Sequence, residues 1–188
     1  MIIDNNFLTN EEKTSVRDLI LGPEVAWYLN TKTCKQDDIS YSSIIDKNTQ
    51  EHFQFTHTLR RELSIESRYY DYLHNNVFVK FLNKHNIQCS TVLRAKLNLV
   101  TPLETDLYQS PHVDYIFPHS VFLYYVNDSD GNTLLFNEKH DGTKKELTLS
   151  KSINPEMGKA IFFDGLTYHA PTAPKQSAYR AVINIAFV

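Results

Sequence analysis

The sequence has few cysteines and no pattern typical of a thiolate metal site. Its 188 residues contain two cysteines, Cys34 and Cys89, which lie far apart in the chain. Two isolated cysteines exclude a disulfide framework and a CxxC zinc knuckle, and they fit a reducing compartment. Against them stand eight histidines and 22 aspartates and glutamates. Any metal site in this protein should therefore be built from nitrogen and oxygen ligands.

From the sequence we also expect neither a targeting segment nor a membrane-spanning segment. The amino end, Met1 to Asn6, lacks the basic stretch and apolar run of a signal peptide, and no stretch approaches eighteen apolar residues. We therefore expect a cytoplasmic protein that does not span a membrane. The formal net charge of −3 gives no general attraction to nucleic acid. GxGxxG, Walker, GxSxG and HExxH motifs do not occur, so nucleotide binding and the common hydrolase reactions lack support.

Length and residue periodicity predict a single domain over residues 1–188, in which helices precede strands. Thr9 and Glu12 have capping-box spacing and begin a helix predicted over 9–21. A second helix is predicted within 66–86, where apolar residues repeat along one helical face: Tyr70, Leu73, Val77, Phe78 and Phe81. Residues 1–90 are thus expected to form a helical support region.

The sequence beyond residue 90 changes to the period of a β-strand. From Thr91 onward, apolar residues alternate with Arg94, Lys96 and Asn98, which predicts a half-buried strand. Its polar face is expected to be solvated, and the alternative is a substrate-contacting strand at the mouth of the barrel. Further strands are predicted at 120–127, 133–136, 146–149, 158–163 and 180–188. Since helices do not alternate with these strands, we expect an α+β chain with a mainly β core, an antiparallel sandwich or barrel with helices outside.

A metal site is indicated by Pro111-His112-Val113-Asp114. In an extended segment, residues two apart point to the same face, so His112 and Asp114 can reach one ion. His169, which follows the apolar run GKAIFF, is the candidate third ligand. Two imidazoles and one carboxylate leave open positions on an ion, as in the facial triad of non-haem Fe(II) oxygenases.

Arg180 begins the last predicted strand, both faces of which are largely apolar. A buried arginine requires an anionic partner, and a ligand carboxylate can supply one through a bidentate pair. Alternatively, Arg180 lies at the solvent end of the strand and pairs with a surface carboxylate.

Read in order, these motifs resemble the iron and 2-oxoglutarate dependent dioxygenases, and most closely their prolyl 4-hydroxylase-like branch. The resemblance covers roughly residues 90–188 and rests on an ordered set of segments: His112-Val113-Asp114, Tyr124-Tyr125-Val126-Asn127, Asp130-Gly131-Asn132-Thr133, Phe136, GKAIFF at 158–163, His169 and Arg180. It implies a double-stranded β-helix, or jelly roll, in residues 91–188, supported by helices from the N-terminal half. It also implies hydroxylation of an aliphatic C–H bond, such as that of a prolyl residue in a peptide or protein. An inward-facing apolar lining from Leu123, Val182 and Phe162 is expected to suit this chemistry.

By this resemblance, His112, Asp114 and His169 are the catalytic iron ligands, and Arg180 pairs with the distal carboxylate of 2-oxoglutarate. The implied cofactors are Fe(II), the cosubstrate 2-oxoglutarate and ascorbate as a reductant. The implied partners are 2-oxoglutarate, dioxygen and a peptide or protein, without nucleic acid or membrane.

Three further residues have implied roles in cosubstrate binding. Tyr125 matches a family tyrosine that bonds the distal carboxylate, although it is equally consistent with an ordinary core aromatic. Asn98 takes the place of an aromatic cosubstrate contact, and Asn184 lies on the strand face of Arg180.

Two other functions fit parts of this pattern. A nucleic-acid base demethylase would share the chemistry but is disfavoured by the acidic charge balance. A cupin-like protein would bind a metal and a small acid without oxygenase activity. Such a protein does not need a carboxylate anchor at Arg180, so this residue discriminates between the two classes.

Overall fold

The computed structural model describes residues 1–31, 44–45 and 48–188. Its helices are α1 (Asn10–Leu21), α2 (Tyr70–Leu73) and α3 (Val79–His85), and a π-helical turn (His74–Phe78) joins α2 to α3. Its strands are β1 (Ile2–Asp4), β2 (Tyr28–Asn30), β3 (Gln54–Arg61), β4 (Ser64–Ile65), β5 (Val92–Val100), β6 (Ser120–Tyr125), β7 (Thr133–Lys139), β8 (Leu149–Ile153), β9 (Ala160–Asp164), β10 (Thr167–Pro171) and β11 (Arg180–Phe187). Cys89 is a free thiol, and Cys34 lies outside the described residues. Among the described helices, none has the length and apolarity needed to cross a bilayer.

The first helix forms where the capping box predicts it. Glu12 N donates to Thr9 Oγ1 at 3.2 Å, and Thr9 N donates to Glu12 Oε2 at 2.8 Å, so two N–H groups at the start of α1 are satisfied. The helix ends at Gly22, where a Cβ atom would lie 2.6 Å from Asp18 O. Val16 and Ile20 bury one face of this helix against the main core.

The second predicted helix also forms, with a π-helical turn in its middle. Its predicted packing residues are all buried: Tyr70, Leu73, Val77, Phe78 and Phe81. The ring centroids of Phe78 and Phe81 lie 5.4 and 5.0 Å from that of Phe122 on β6. These aromatic contacts attach the helix to the outer face of the larger sheet.

The strands form two antiparallel sheets that build the predicted jelly roll. The larger sheet has the order β1-β9-β6-β11-β5-β3-β2, with β4 paired to β3, and the smaller has the order β10-β7-β8. The last strand, β11, is central in the larger sheet, where it pairs with both β5 and β6. Arg180 therefore begins a strand that is covered on both sides.

The strand assignments differ from the sequence expectations in the N-terminal half, in β8 and at β10, which the sequence does not predict as a strand. Residues before 91 are not only helical, because they also contribute β1 to β4 to the larger sheet. Strand β3 lacks a clean alternation because a register shift between Thr58 and Arg60 interrupts its pairing with β5. Strand β8 occupies Leu149–Ile153 rather than 146–149, and four of its five residues are exposed, so it carries no apolar period.

Apolar side chains fill three layers. The helices pack on one face of the larger sheet through the main core, which includes Leu97, Phe122 and Ile183. A second cluster, including Leu123, Leu135 and Val182, lies between the two sheets. A third lies on the far side of the smaller sheet, around Phe136 and Tyr168. The space between the sheets is thus filled in part by an apolar cluster.

Candidate active site

The two candidate ligand histidines face each other across a short backbone bridge. His112 N donates to His169 O at 3.0 Å, and His169 N donates to His112 O at 3.1 Å. This is the reciprocal pair of hydrogen bonds of an antiparallel ladder, so both side chains leave the backbone on the same face. Their ring centroids are 4.6 Å apart.

Hydrogen bonds to backbone carbonyls favour the same tautomer in both rings. His112 Nδ1 contacts Ser110 O at 3.1 Å, and His169 Nδ1 contacts Thr167 O at 3.2 Å. A carbonyl oxygen only accepts hydrogen bonds, so each Nδ1 carries a proton, and in the neutral form of each ring the lone pair lies on Nε2. An outer hydrogen bond of this kind typically orients a metal-binding histidine.

Asp114 completes a compact group of three ligands. One ligand atom from each of His112, Asp114 and His169 lies within 4.8 Å of the others. The Asp114 side chain is 2% exposed and receives Arg94 Nη2 on Oδ1 at 2.5 Å. Asn184 Nδ2 approaches Oδ2 at 3.5 Å. These donors fix the plane of the carboxylate beside the imidazoles.

The protonation states of this group favour cation binding. Burial raises the pKa of Asp114, but the positive charges of Arg94 and Lys96 hold that pKa well below its usual value. Burial and the neighbouring His112 lower the pKa of His169 to about 3. Near neutral pH the site therefore presents a carboxylate and an uncharged imidazole, the forms that bind metals.

Arg180 is buried in the wall of the pocket that His112 and His169 also line. It is 3% exposed, and its Nη2 donates to Thr133 Oγ1 at 2.6 Å. Tyr125 OH donates to the same Oγ1 at 2.7 Å, and the guanidinium carbon lies 5.6 Å from the Tyr125 ring centre. No carboxylate of the described residues forms an ion pair with Arg180, and its Nε has no hydrogen-bond partner there. The surface-paired alternative for Arg180 is therefore wrong.

Strands β5, β10 and β11 carry Asn98, His169, Arg180 and Asn184 to one pocket, and the segment paired to β10 through the His112–His169 bridge brings His112 there. The pocket has about 450 Å³ of empty space, part of it open to solvent, and its walls include Asn98, His112, Leu123, His169, Arg180, Val182 and Asn184. Tyr125 lies behind this wall, where it reaches the pocket through Thr133. The Oδ1 atom of Asn98 is buried without a hydrogen-bond partner among the described residues.

Two sequence expectations about strand faces are wrong. Leu123 and Val182 line the pocket as expected, but Phe162 packs on the helix side of the larger sheet, 6.0 Å from the Phe187 ring. The polar face of β5 is not a solvated surface, because Lys96 and Asn98 line the pocket. The reason is topological: β5 lies between β3 and β11, so one face meets the helices and the other the interior.

Sequence reasoning missed Thr133 and the ion pair of Arg94. Thr133 gives no chemical signal, since a threonine that starts a strand is common. Arg94 could have been found, because it shares its strand face with Lys96 and Asn98. What the sequence did not provide was the pairing of β5 with β11.

The remaining histidines have contacts outside this site. Hydrogen bonds join His52 to Thr101, His57 to Ala26 O and Ser67, His74 to Asn75, His85 to Asp4, His119 to Phe117 O and His140 to Tyr168. Only His112 and His169 belong to a ligand group in the described part of the chain.

Comparison with known proteins gives a likeness in fold and none in sequence. No protein-family model and no curated protein matches the chain. Among solved structures, an oxidoreductase of the 2OG-Fe(II) oxygenase family from Burkholderia pseudomallei is 10% identical with a TM-score of 0.67, covering 99% of this chain and 84% of that one. A prolyl hydroxylase from Trichoplax adhaerens, in complex with a hypoxia inducible factor peptide, is 16% identical with a TM-score of 0.61, covering 99% and 82%.

A third similar structure is that of an epimerase. The alpha-ketoglutarate dependent epimerase SnoN from nogalamycin biosynthesis is 13% identical with a TM-score of 0.62, covering 100% of this chain and 76% of that one. The chain therefore has the fold of the 2-oxoglutarate and iron dependent oxygenases. Because that fold serves several reactions, function has to be argued from the site.

Proposed function

We propose that the protein is a non-haem Fe(II) and 2-oxoglutarate dependent dioxygenase that hydroxylates an aliphatic C–H bond, such as that of a prolyl residue in a peptide or protein. One observation carries this proposal. A buried arginine without a carboxylate partner among the described residues faces the same pocket as two imidazoles, and these imidazoles and a carboxylate have ligand atoms within 4.8 Å of one another. A metal-binding protein that uses no organic acid as cosubstrate does not need a buried arginine without a carboxylate partner in this pocket.

In this proposal His112, Asp114 and His169 hold Fe(II). The donor set fits that ion, since two neutral imidazoles and one carboxylate leave coordination positions open. When bound, the iron supplies the activation of dioxygen, and ascorbate keeps it reduced. The protein contributes by orienting both imidazoles through hydrogen bonds to the backbone carbonyls of Ser110 and Thr167, and by excluding water from the pocket.

Arg180 binds the distal carboxylate of 2-oxoglutarate in this proposal. The anion would compensate a guanidinium that is buried at 3% exposure, and the fork of donors suits a bidentate pair. Thr133 holds both the guanidinium and the Tyr125 hydroxyl, so the anchor is oriented before the ligand arrives. Asn98 and Asn184 line the same pocket, and in this proposal they contact the proximal end of the cosubstrate or water.

A peptide substrate is favoured by the apolar surroundings of the pocket. Leu123 and Val182 give the interior an apolar lining that suits a hydrocarbon target. Directly after Asp114, the exposed side chains of Ile116 (51%) and Phe117 (44%) form an apolar lip. Exposed apolar residues beside a site commonly contact a binding partner. The net charge of −3 continues to disfavour a nucleic-acid base as substrate.

The test is an anaerobic titration followed by oxygenation. Addition of Fe(II) and 2-oxoglutarate should give the visible absorption band of an iron-bound keto acid, and air should then release succinate. His112→Ala should abolish both signals, whereas His74→Ala, which changes a histidine on the packing helix, should retain them. Wild-type protein that shows neither signal would contradict the proposal. Candidate peptides are then screened by mass spectrometry for the gain of one oxygen atom.

A further inference from the structure

Arg94 enters the site from β5 at a position where the neighbouring strand leaves room. Its register partner on β11 is Ala186, whose side chain ends at Cβ, and its partner on β3 is Arg61. Arg61 turns away to Glu66, with Nε 3.6 Å from the carboxylate. The guanidinium of Arg94 instead lies 5.7 Å from the centre of the Tyr115 ring and reaches Asp114.

The ion pair between Arg94 and Asp114 is poorly exposed to water. The Asp114 side chain is 2% exposed and that of Arg94 is 21% exposed, and Nη2 lies 2.5 Å from Oδ1. The same Nη2 also approaches Asn184 Oδ1 at 3.5 Å. A carboxylate buried to this extent is strongly destabilising when it lacks a partner. Arg94 supplies that partner from the protein itself.

A divalent cation bound beside Asp114 would meet this guanidinium. Both are positive, both interact with one carboxylate, and their repulsion is weakly screened where water is scarce. The positive charge that stabilises the empty site must therefore oppose the arrival of the metal.

We propose that Arg94 is the resident counter-ion of Asp114, a positioning residue that stabilises the metal-free site and weakens metal binding. The inference rests on the proposed function only for the assignment of the metal ligands. With Arg94 in this role, the protein stays folded without metal. The metal also dissociates more readily than it would from the same three ligands without the arginine.

The test measures Mn²⁺ affinity by calorimetry and the thermal midpoint of the metal-free protein, without any turnover. Arg94→Gln should bind Mn²⁺ more tightly by about tenfold, the size expected for one nearby unit charge. It should also unfold at a lower temperature without metal. Arg94→Lys keeps the charge and should stay near wild type in affinity, and so should the control Arg61→Gln, which changes an exposed arginine on the adjacent strand.

The outcomes separate this inference from the proposed function. Equal Mn²⁺ binding by wild type and His112→Ala would contradict the metal site itself. If His112→Ala loses binding while Arg94→Gln binds no more tightly than wild type, the counter-ion role is wrong and the metal site stands. Tight binding by Arg94→Lys as well would overturn the charge argument. If Arg94→Gln does not fold without metal, folding on addition of Mn²⁺ supports the inference, and failure to fold contradicts it.

Discussion

Gly165 lies directly against the imidazole of His119. A Cβ atom at Gly165 would be 2.1 Å from His119 Nε2, and Gly165 N donates to His119 O at 2.9 Å. Only a residue without a side chain fits so close to a buried ring. This turn leads into β10, which carries His169. The close contact between Gly165 and His119 therefore lies two residues before the strand of the second candidate ligand histidine.

We expect Gly165→Ala to destabilise the protein by about 1–3 kcal/mol, because the added methyl group forces a buried ring to move. Urea denaturation of the metal-free protein measures the change. His119→Ala removes the ring and should relieve the clash, so the glycine substitution should cost less in that background. Equal costs in the two backgrounds would show that the ring contact is not the reason for the glycine.

The helices could be predicted from the sequence because their signals are local. Thr9 and Glu12 are three residues apart and form the capping box without help from other elements. In β8, by contrast, exposed residues such as Lys151 leave no apolar period, and its position depends on pairing with β7. Such strands are determined by their neighbours in the sheet, which a single sequence does not identify.

In the candidate site, too, the features that depend on local sequence could be predicted, and those that depend on the pairing of strands could not. His112 and Asp114 are two residues apart, so their common face follows from strand geometry alone. The Arg94–Asp114 pair depends on which strands are adjacent, and the hydroxyl of Thr133 is chemically inconspicuous. The catalytic roles themselves stay predictions, since geometry shows proximity and not reaction.

Acid should weaken the packing of the N-terminal strand β1. Asp4 Oδ2 lies 2.8 Å from both Lys84 Nζ and His85 Nε2, and its Oδ1 accepts from Asn6 N at 2.7 Å. Burial raises the pKa of Asp4, but the hydrogen bonds of these three residues lower it further than burial raises it. A carboxyl with a lowered pKa stabilises the folded state above its unfolded pKa of about 3.9 and loses that effect as the pH falls through the folded value.

Asp4→Asn should therefore be less stable than wild type by about 1–2 kcal/mol at pH 7, and the difference should shrink toward pH 3. Urea denaturation at the two pH values measures this. Asp71→Asn, at an exposed aspartate on α2, serves as the control and should leave stability nearly unchanged. If the difference in stability between Asp4→Asn and wild type stays the same at low pH, the charge of Asp4 is not its cause.

Thr133→Val should damage the anchor more than the fold of its strand. The substitution keeps the shape of the side chain but leaves the Tyr125 hydroxyl and an Arg180 N–H without their shared acceptor. We expect a loss of about 1–3 kcal/mol in stability, the cost of unpaired buried donors, together with weaker binding of 2-oxoglutarate. Thr148→Val, which breaks exposed bonds to Asn137 and Glu138, should have little effect on either measurement.

Arg180 should oppose stability in the absence of its ligand. Its buried charge has no carboxylate partner among the described residues, and burial lowers its pKa, which marks the environment as unfavourable to the charged form. Arg180→Met should therefore leave the ligand-free protein as stable as wild type or more stable, by up to about 4 kcal/mol. The same variant should lose the increase in thermal midpoint that 2-oxoglutarate and Mn²⁺ together give wild type. A structural arginine would give the reverse result, a less stable protein that still responds to 2-oxoglutarate. Because the two roles predict opposite signs in the ligand-free state, one pair of melting curves distinguishes an anchor for the cosubstrate from a residue of the fold.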